Sequence, residues 1–190
     1  ELGIGYLSED RKRFGLCLNL SITDNTIMSS IGKLFKGPFV NEALADKRSE
    51  EYIEKIRTKT PSTKTKVGSL SGGNQQKVVM ARELSRPLSL FIASQPTRGV
   101  DVGSIEFLHR RIIAEREAGT PVMIVSTELD EVLELGDRIA VLYGGRLMGI
   151  VPGGTSRNVL GLMMAGMTAD EALAREAAPE ENHVIEGGAQ

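Results

Sequence analysis

Leu70-Ser71-Gly72-Gly73-Asn74-Gln75-Gln76 has residue types and spacing that suit contact with a phosphate group. A Ser-Gly-Gly turn that opens a helix offers backbone N–H groups without intrahelical partners, and the aligned peptide dipoles add partial positive charge at that end. Two glycines let the backbone approach an anion closely, and the serine hydroxyl adds a donor. Taken alone, such a turn is an ordinary helix cap, so its meaning depends on its surroundings. Other chemistry-bearing residues offer less. Glu9-Asp10-Arg11-Lys12-Arg13 reads as a solvated charged loop. His109 stands beside Arg110 and Arg111 and reads as a surface side chain; His183 is far along the chain, and neither has the clustering that a metal site needs. Cys17 reads as a small buried residue rather than a reactive thiol. Met163, Met164 and Met167 read as packing, and Asp130, Glu131 and Glu134 as an acidic helix face.

The elements that must position the Ser-Gly-Gly turn follow from periodicity and breakers. Ile4–Leu7 reads as a short buried strand, followed by a polar loop over 8–15. Ser21 or Thr23 caps a short helix to about Ser30, and a linker over 32–38 carries the Gly37-Pro38 break. Asn41 caps a helix over about Glu42–Arg57 with Leu44, Tyr52, Ile53 and Ile56 available to pack. After a polar connector, the helix behind the Ser-Gly-Gly turn sets Val78, Val79, Ala81 and Leu84 on an apolar face and Lys77, Arg82 and Glu83 on a polar one. The rhythm then alternates: a strand over 88–93, a helix over 102–118 closed by Gly119, a very apolar strand over 121–126 suited to cover on both faces, and a helix over 129–135. Two strands over 138–143 and 146–151 flank the hairpin signal Gly144-Gly145, and a helix covers about 157–165. Beyond it Ala, Glu and Gly dominate, and 167–190 is expected to form a disordered tail. This pattern is α/β with a mainly parallel sheet, preceded by a mostly helical part.

Composition excludes several classes. An apolar fraction of 41% and a charged fraction of 25% are those of an ordinary globular protein. A net charge of −2 argues against a broad nucleic-acid footprint. A single cysteine rules out an internal disulfide and fits a reducing compartment. There is neither a secretory signal nor an apolar run near the roughly 20 residues that span a bilayer. The opening Glu1-Leu2-Gly3 enters a strand at once, as expected of a piece of a longer protein.

The combination of Leu70–Gln76, Ala81-Arg82, the strand Leu90-Phe91-Ile92-Ala93 and Gln95-Pro96-Thr97-Arg98-Gly99-Val100-Asp101 resembles the ABC-type ATPases in order and spacing. The wording SGGNQQK, PTRGVDVG and GYLSEDRKRFGL is similar to the importers of ribose, galactosides and ribonucleosides, in the second half of their fused two-domain ATP-binding subunit. The stretch IASQPTRGVDVGSIEFLHRRI looks most like the branch paired with purine-nucleoside-binding lipoproteins. The resemblance covers about Ile4–Gly166. It implies a truncated P-loop NTPase-like α/β domain with a mainly parallel sheet flanked by helices and an α-helical signature subdomain. In its terms, 1–7 end the N-terminal part of the core, 8–87 form the Q-loop and signature subdomain, and 88–166 form a RecA-like core with Walker B, D-loop and switch positions.

Carried residue by residue, the resemblance gives Leu70, Ser71, Gly72, Gly73, Asn74, Gln75 and Gln76 the signature role of gripping the γ-phosphate of an ATP held by the opposite domain. Asp101 matches the D-loop aspartate, which crosses the domain interface. Glu9 stands in the Q-loop position, and the segment around Ser8–Phe39, with part of the following helix, matches the region that receives the coupling helices of the permease, so the charged run Glu9–Arg13 takes a coupling role in these terms. The departures matter most. Two acids normally end the Walker B strand, one holding Mg2+ and one orienting the attacking water. Ser94 and Gln95 stand there instead, and Thr127 occupies the place of the switch histidine. The loop G-x-x-x-x-G-K-[ST] is expected upstream of Glu1. The resemblance therefore implies no competent catalytic residue in this chain and a degenerate site of its own. ATP with Mg2+ would be bound mainly by the partner half.

The implied partners are the N-terminal ATPase half of the same subunit, permease transmembrane subunits, and indirectly a substrate-binding lipoprotein, without nucleic acid. The implied location is peripheral, on the cytoplasmic face of the membrane. Two other function classes compete. A soluble ABC ATPase acting on ribosomes or DNA would call for a long basic insertion or an aromatic-basic patch, which the sequence lacks. A purely structural partner would leave Ser71 and Gly72 without effect on ATP hydrolysis.

Overall fold

The computed structural model describes residues 2–36, 39–55 and 60–178. The chain falls into two compact units, one up to Thr127 and one from Glu128 onward.

In chain order the first unit holds β1 (Ile4–Leu7), a single wide helical turn (Arg11–Gly15), α1 (Ile22–Ile27) continued by a tighter stretch (Met28–Lys33), β2 (Phe35–Lys36), β3 (Phe39–Val40), α2 (Glu42–Lys55), α3 (Gly72–Glu83), β4 (Leu90–Ser94), α4 (Val102–Glu117) and β5 (Val122–Val125). Strands β1, β4 and β5 form a parallel sheet in the order β1-β4-β5, with Leu7 opposite Ala93 and Ala93 opposite Ile124. Leu7, Phe91 and Ala93 point to one face and are fully buried, as expected of a sheet face covered by helices. On the other face Ile4, Tyr6, Met123 and Val125 are exposed, Met123 to 53%. This corrects the expectation that the apolar 121–126 strand is covered on both sides. An apolar run records what a strand can tolerate on each face, not which layer is packed there.

Helix α3 also departs from its sequence pattern. Gln75, Gln76, Lys77 and Glu83 are buried along with Val78, Val79, Met80 and Ala81, so the expected polar face is not a solvated one. The helix packs against α1, α2, α4, β1 and the 11–15 turn. Each of its buried polar side chains has a specific partner, although the amide oxygens of Gln75 and Gln76 are buried without one. Gln76 Nε2 donates to the Pro96 carbonyl at 2.9 Å and Gln75 Nε2 to that of Val67 at 3.3 Å. The Lys77 ammonium lies 4.6 Å from the Phe107 ring centre, a favourable cation–π geometry. Arg82 donates through Nη1 to the Gly15 carbonyl at 2.7 Å and pairs through Nε with Glu83 at 2.8 Å.

Several local expectations hold. Ser21 caps α1 with a reciprocal bond to Asp24, and Asn41 Oδ1 accepts from the Leu44 amide at the start of α2. Others are corrected. His109 is buried on α4 beside Leu108 and Ile112, because the face these apolar residues seat is wide enough to take in its neighbour. Cys17 is exposed: Asn25 holds its backbone N–H and carbonyl, and the thiol is left outside. The Gly37-Pro38 break and residues 56–59 lie outside the described residues.

The second unit contains α5 (Leu129–Leu135), β6 (Arg138–Tyr143), β7 (Arg146–Pro152), α6 (Arg157–Met164) and α7 (Ala169–Ala177). Strands β6 and β7 form an antiparallel hairpin around Gly144 and Gly145, whose φ values of 54° and 77° need glycine. Ile139, Val141, Val151, Val159, Leu160, Met163 and Ala172 form its core. Glu131 is buried on α5 and is not part of an open acidic face. Helix α7 corrects the expectation of a disordered tail from residue 167. Thr168 Oγ1 accepts from the Glu171 amide, and the Glu171 carboxylate accepts from the Thr168 amide at 2.8 Å. This is a capping box, and Ala172 then seats the helix in the core. Residues 179–190 lie outside the described residues. Thr168→Ala removes one half of the box and should destabilise the second unit by about 1 kcal/mol, read as faster amide exchange along Ala169–Ala177.

Candidate functional site

The Ser-Gly-Gly turn is built as its sequence suggests. Ser71 has extended backbone angles and is exposed, and its Oγ accepts from the Asn74 amide at 3.4 Å. With that lone pair engaged inward, the hydroxyl proton is free to be donated outward. The Gln75 amide closes the first helical bond to the Ser71 carbonyl at 2.9 Å. The amides of Gly72 and Gly73 precede that bond and are the donors that a helix start leaves without intrahelical acceptors.

The glycines are required by close approach of the surrounding chain. A Cβ on Gly72 would lie 2.6 Å from Arg11 Nη2 and 2.8 Å from the Gly99 carbonyl oxygen. A Cβ on Gly73 would meet Ser104 Oγ and would lie 2.6 Å from Asp101 Oδ2. The inner side of the turn is thus packed by the segment after β4 and by the first turn of α4. Asp101 caps α4: its carboxylate accepts from Ser104 Oγ at 2.8 Å and from the Ser104 amide at 3.0 Å. The hydroxyl bond first, and then the amide bond, hold its pKa below the usual aspartate value.

A second group stands at the ends of β4 and β5. Gln95 has φ of 48°, the left-handed region that a non-glycine residue rarely adopts. Its amide donates to the Val125 carbonyl at 2.7 Å and its carbonyl accepts from the Arg98 amide at 3.1 Å. Thr127 Oγ1 donates to Gln95 Oε1 at 3.3 Å, so these two sequence-singled residues touch. Ser94 pairs with Val125 in the sheet. The buried Gln76 bond to Pro96 ties α3 to the segment that follows Gln95.

Glu9 is exposed and 3.5 Å from Arg98 Nη1, which links the charged loop to the same segment. Leu70 is partly buried, and Asn74 and Gln75 lie within the first turn of α3. Arg11 is a residue that the sequence places in a charged loop with a coupling role, without singling it out. Its Nη1 donates to the Arg98 carbonyl at 2.8 Å and its Nη2 to the Gly99 carbonyl at 3.0 Å. Burial lowers its pKa, with Asp10 offsetting part of that shift. The only sequence hint was Asp10 three residues before Arg13, a spacing that lets an aspartate cap a turn. Asp10 Oδ1 does accept from the Arg13 amide at 3.1 Å.

No family model matches the chain. It is 42% identical over 181 residues to the guanosine import ATP-binding protein of Bacillus subtilis (strain 168), covering 90% of this chain and 34% of that protein. It is 40% identical over 174 residues to a nucleoside import ATP-binding protein of Lactococcus lactis subsp. cremoris (strain MG1363), again covering 90% and 34%. The ribose import ATP-binding protein of Corynebacterium glutamicum is 38% identical over 180 residues, covering 94% and 34%. The chain therefore spans about a third of the length of these relatives. Among solved structures it superposes on an ATP-binding cassette dimer in a post-hydrolysis state with ADP and Pi. The TM-score is 0.64 at 25% identity, over 78% of this chain and 62% of that one.

Two outcomes test the geometry of the turn. Gly73→Ala should cost about 1–3 kcal/mol in equilibrium denaturation, since its methyl has to displace Asp101 and Ser104. Because the Asp101 pKa is lowered in the folded state, its contribution is complete above the unfolded carboxylate value of about 4 and is lost as pH falls through the folded value. Asp101→Asn should remove that acid limb from the pH dependence of the denaturation midpoint.

Proposed function

We propose, for a chain with the ABC ATPase fold whose relatives are the ATP-binding proteins of nucleoside and sugar importers, that it is the second nucleotide-binding domain of such an importer's ATPase. In this reading it supplies the signature turn in trans while its own site is degenerate. The observation that carries the reading is an intact Ser71-Gly72-Gly73 turn with Ser71 exposed, in a chain whose strands β4 and β5 lead into the neutral residues Ser94, Gln95 and Thr127.

The chemistry follows from those residues. The Ser71 hydroxyl and the Gly72 and Gly73 amides suit the γ-phosphate of an ATP bound by the partner half. Donors fixed before the reaction stabilise charge that grows on the phosphoryl oxygens without reorganising. Asp101, held by Ser104, keeps the first turn of α4 against Gly73 and reaches the domain interface. On this chain's own side, Gln95 can hydrogen-bond a water but cannot take its proton. Its Oε1 already accepts from Thr127, whose hydroxyl is thereby turned toward a side chain and not toward a phosphate. Mg2+ does not fit these residues: Ser94 and Gln95 bring no charge, and no group of three His, Cys, Asp or Glu that could hold a metal is found among the described residues. The cation that accompanies ATP belongs in this reading to the partner half.

Glu9 and the loop around it would receive the permease, with a substrate-binding lipoprotein engaged indirectly and uptake of a nucleoside or sugar as the result. None of the described helices is long and apolar enough to cross a membrane; in this reading the domain is seated peripherally on the cytoplasmic face through its partners. Residues 8–87 then act as the Q-loop and signature part, and 88–166 as the core part.

A single-turnover measurement on the full-length subunit with its permease should find about one fast hydrolytic event per fused chain, and two equal fast events would reject the degenerate site. Ser71→Ala in the same protein should lower turnover by about 100- to 1000-fold, the scale of losing one oriented donor to a transition-state oxyanion. Unchanged turnover would leave only a structural role.

A further inference from the structure

Arg11 stands where three segments meet. Its guanidinium bridges two consecutive carbonyls, those of Arg98 and Gly99, in the segment between Gln95 and Asp101. The same group borders Gly72, where a methyl would come within 2.6 Å of Nη2. Its backbone belongs to the 11–15 turn, which is rigid for local reasons. Asp10 caps the turn through the Arg13 amide, and the Phe14 amide donates to the Asp10 carbonyl at 2.9 Å. The far end is tied to the other end of α3. The Gly15 carbonyl accepts from Arg82, and a Cβ on Gly15 would lie 3.3 Å from Val79. The turn therefore runs alongside α3 as a strap, fixed at Arg82 near the helix end and at Gly72 near its start.

The guanidinium is the one part of the strap that reaches both Gly72 and the Arg98–Gly99 backbone. A lysine could bond one carbonyl but could not span both, because the planar fork is what matches two acceptors at once. The Nε of Arg11 is buried without a partner, a desolvation cost that the two carbonyl bonds offset. Around it the other charged groups are Asp10 on its own turn, Arg98, and Glu9, which is paired with Arg98 in an exposed and therefore weak ion pair.

We propose that Arg11 is a positioning residue that holds the signature turn at a fixed distance from the Gln95–Asp101 segment and makes both move with the 8–15 loop. Arg11 need not touch nucleotide for this. It sets where the Ser71 hydroxyl and the Gly72 amide stand, and it transmits displacement of the loop to them. The functional half of this inference rests on the importer reading above; the positioning half does not.

The test uses the full-length subunit with its permease, comparing Arg11→Lys, Arg11→Ala and, as control, Arg146→Ala, an exposed position at the start of β7 and outside the 8–39 segment. Arg11→Lys should lower permease-stimulated turnover about tenfold or more while KM for ATP stays within about twofold, the signature of a misplaced transition-state contact. Amide exchange should quicken at Gly72–Gln75 and Arg98–Val100 and stay unchanged in α4 and β4. Arg146→Ala should match the parent in both readouts. If Arg11→Ala fails to fold, Arg11→Lys decides the question, since it keeps the stem and the charge. Wild-type turnover and exchange in Arg11→Lys would overturn the proposal, as would a uniform rise in exchange with a parallel fall in melting temperature. If Ser71→Ala leaves turnover unchanged, the trans-signature reading fails, and localised exchange in Arg11→Lys still supports positioning.

Discussion

The close approach of other chain segments to the backbone of Gly72 and Gly73 is the constraint on which the first unit depends. Arg11, the Gly99 carbonyl, Asp101 and Ser104 leave no room there for a side chain. This contact fixes the start of α3 against the start of α4 and against the segment leaving β4. It also explains why α3 can be buried on nearly every side. A helix surrounded by α1, α2, α4 and β1 must carry its own polar groups into the interior, and Gln75, Gln76, Lys77 and Glu83 each find a specific carbonyl, ring or cation there. An apolar helix in the same place would pack, but it would have fewer means of fixing its rotation, which decides where Ser71 points.

Two kinds of chemistry are separated in this architecture. The turn at Ser71 presents hydrogen-bond donors at a positive helix end, where they favour an anion whatever chain holds it. The ends of β4 and β5 present uncharged side chains that bond to each other. In the reading proposed above, binding charge and moving protons are tasks for different places, and among the described residues this chain contributes to the first. A single-sited engine built from two unequal halves, as proposed above, is the arrangement in which such a division is useful.

Much of the fold was legible from the sequence because its signals are local. Ser21, Asn41 and Ser71 cap helices where their residue types suggested, and Gly144-Gly145 turns the hairpin as its dipeptide implies. The misreadings are tertiary. His109 and Glu131 look like surface residues until a neighbouring layer closes over them, and Met123 and Val125 look like core until the exposed face of the sheet is seen. Arg11 was invisible for a related reason: its acceptors lie 87 and 88 residues away in the chain. The helix at Ala169–Ala177 is different, since its Thr-x-x-Glu signal was present and was masked by a composition rich in Ala, Glu and Gly.

The left-handed backbone at Gln95 has a consequence for how this position can change. A residue other than glycine gives up about 1–2 kcal/mol to sit there, and that cost is set by the turn and not by the group at the end of the side chain. The bonds that hold the turn run through the Gln95 backbone to Val125 and Arg98. Glutamine and glutamate differ by one base in their codons and occupy nearly the same volume. The fold would therefore register little difference between them, while the water-facing chemistry would change entirely. A protein with this turn stands a single mutational step from an acidic residue in the same place, with the scaffold already shaped to receive it.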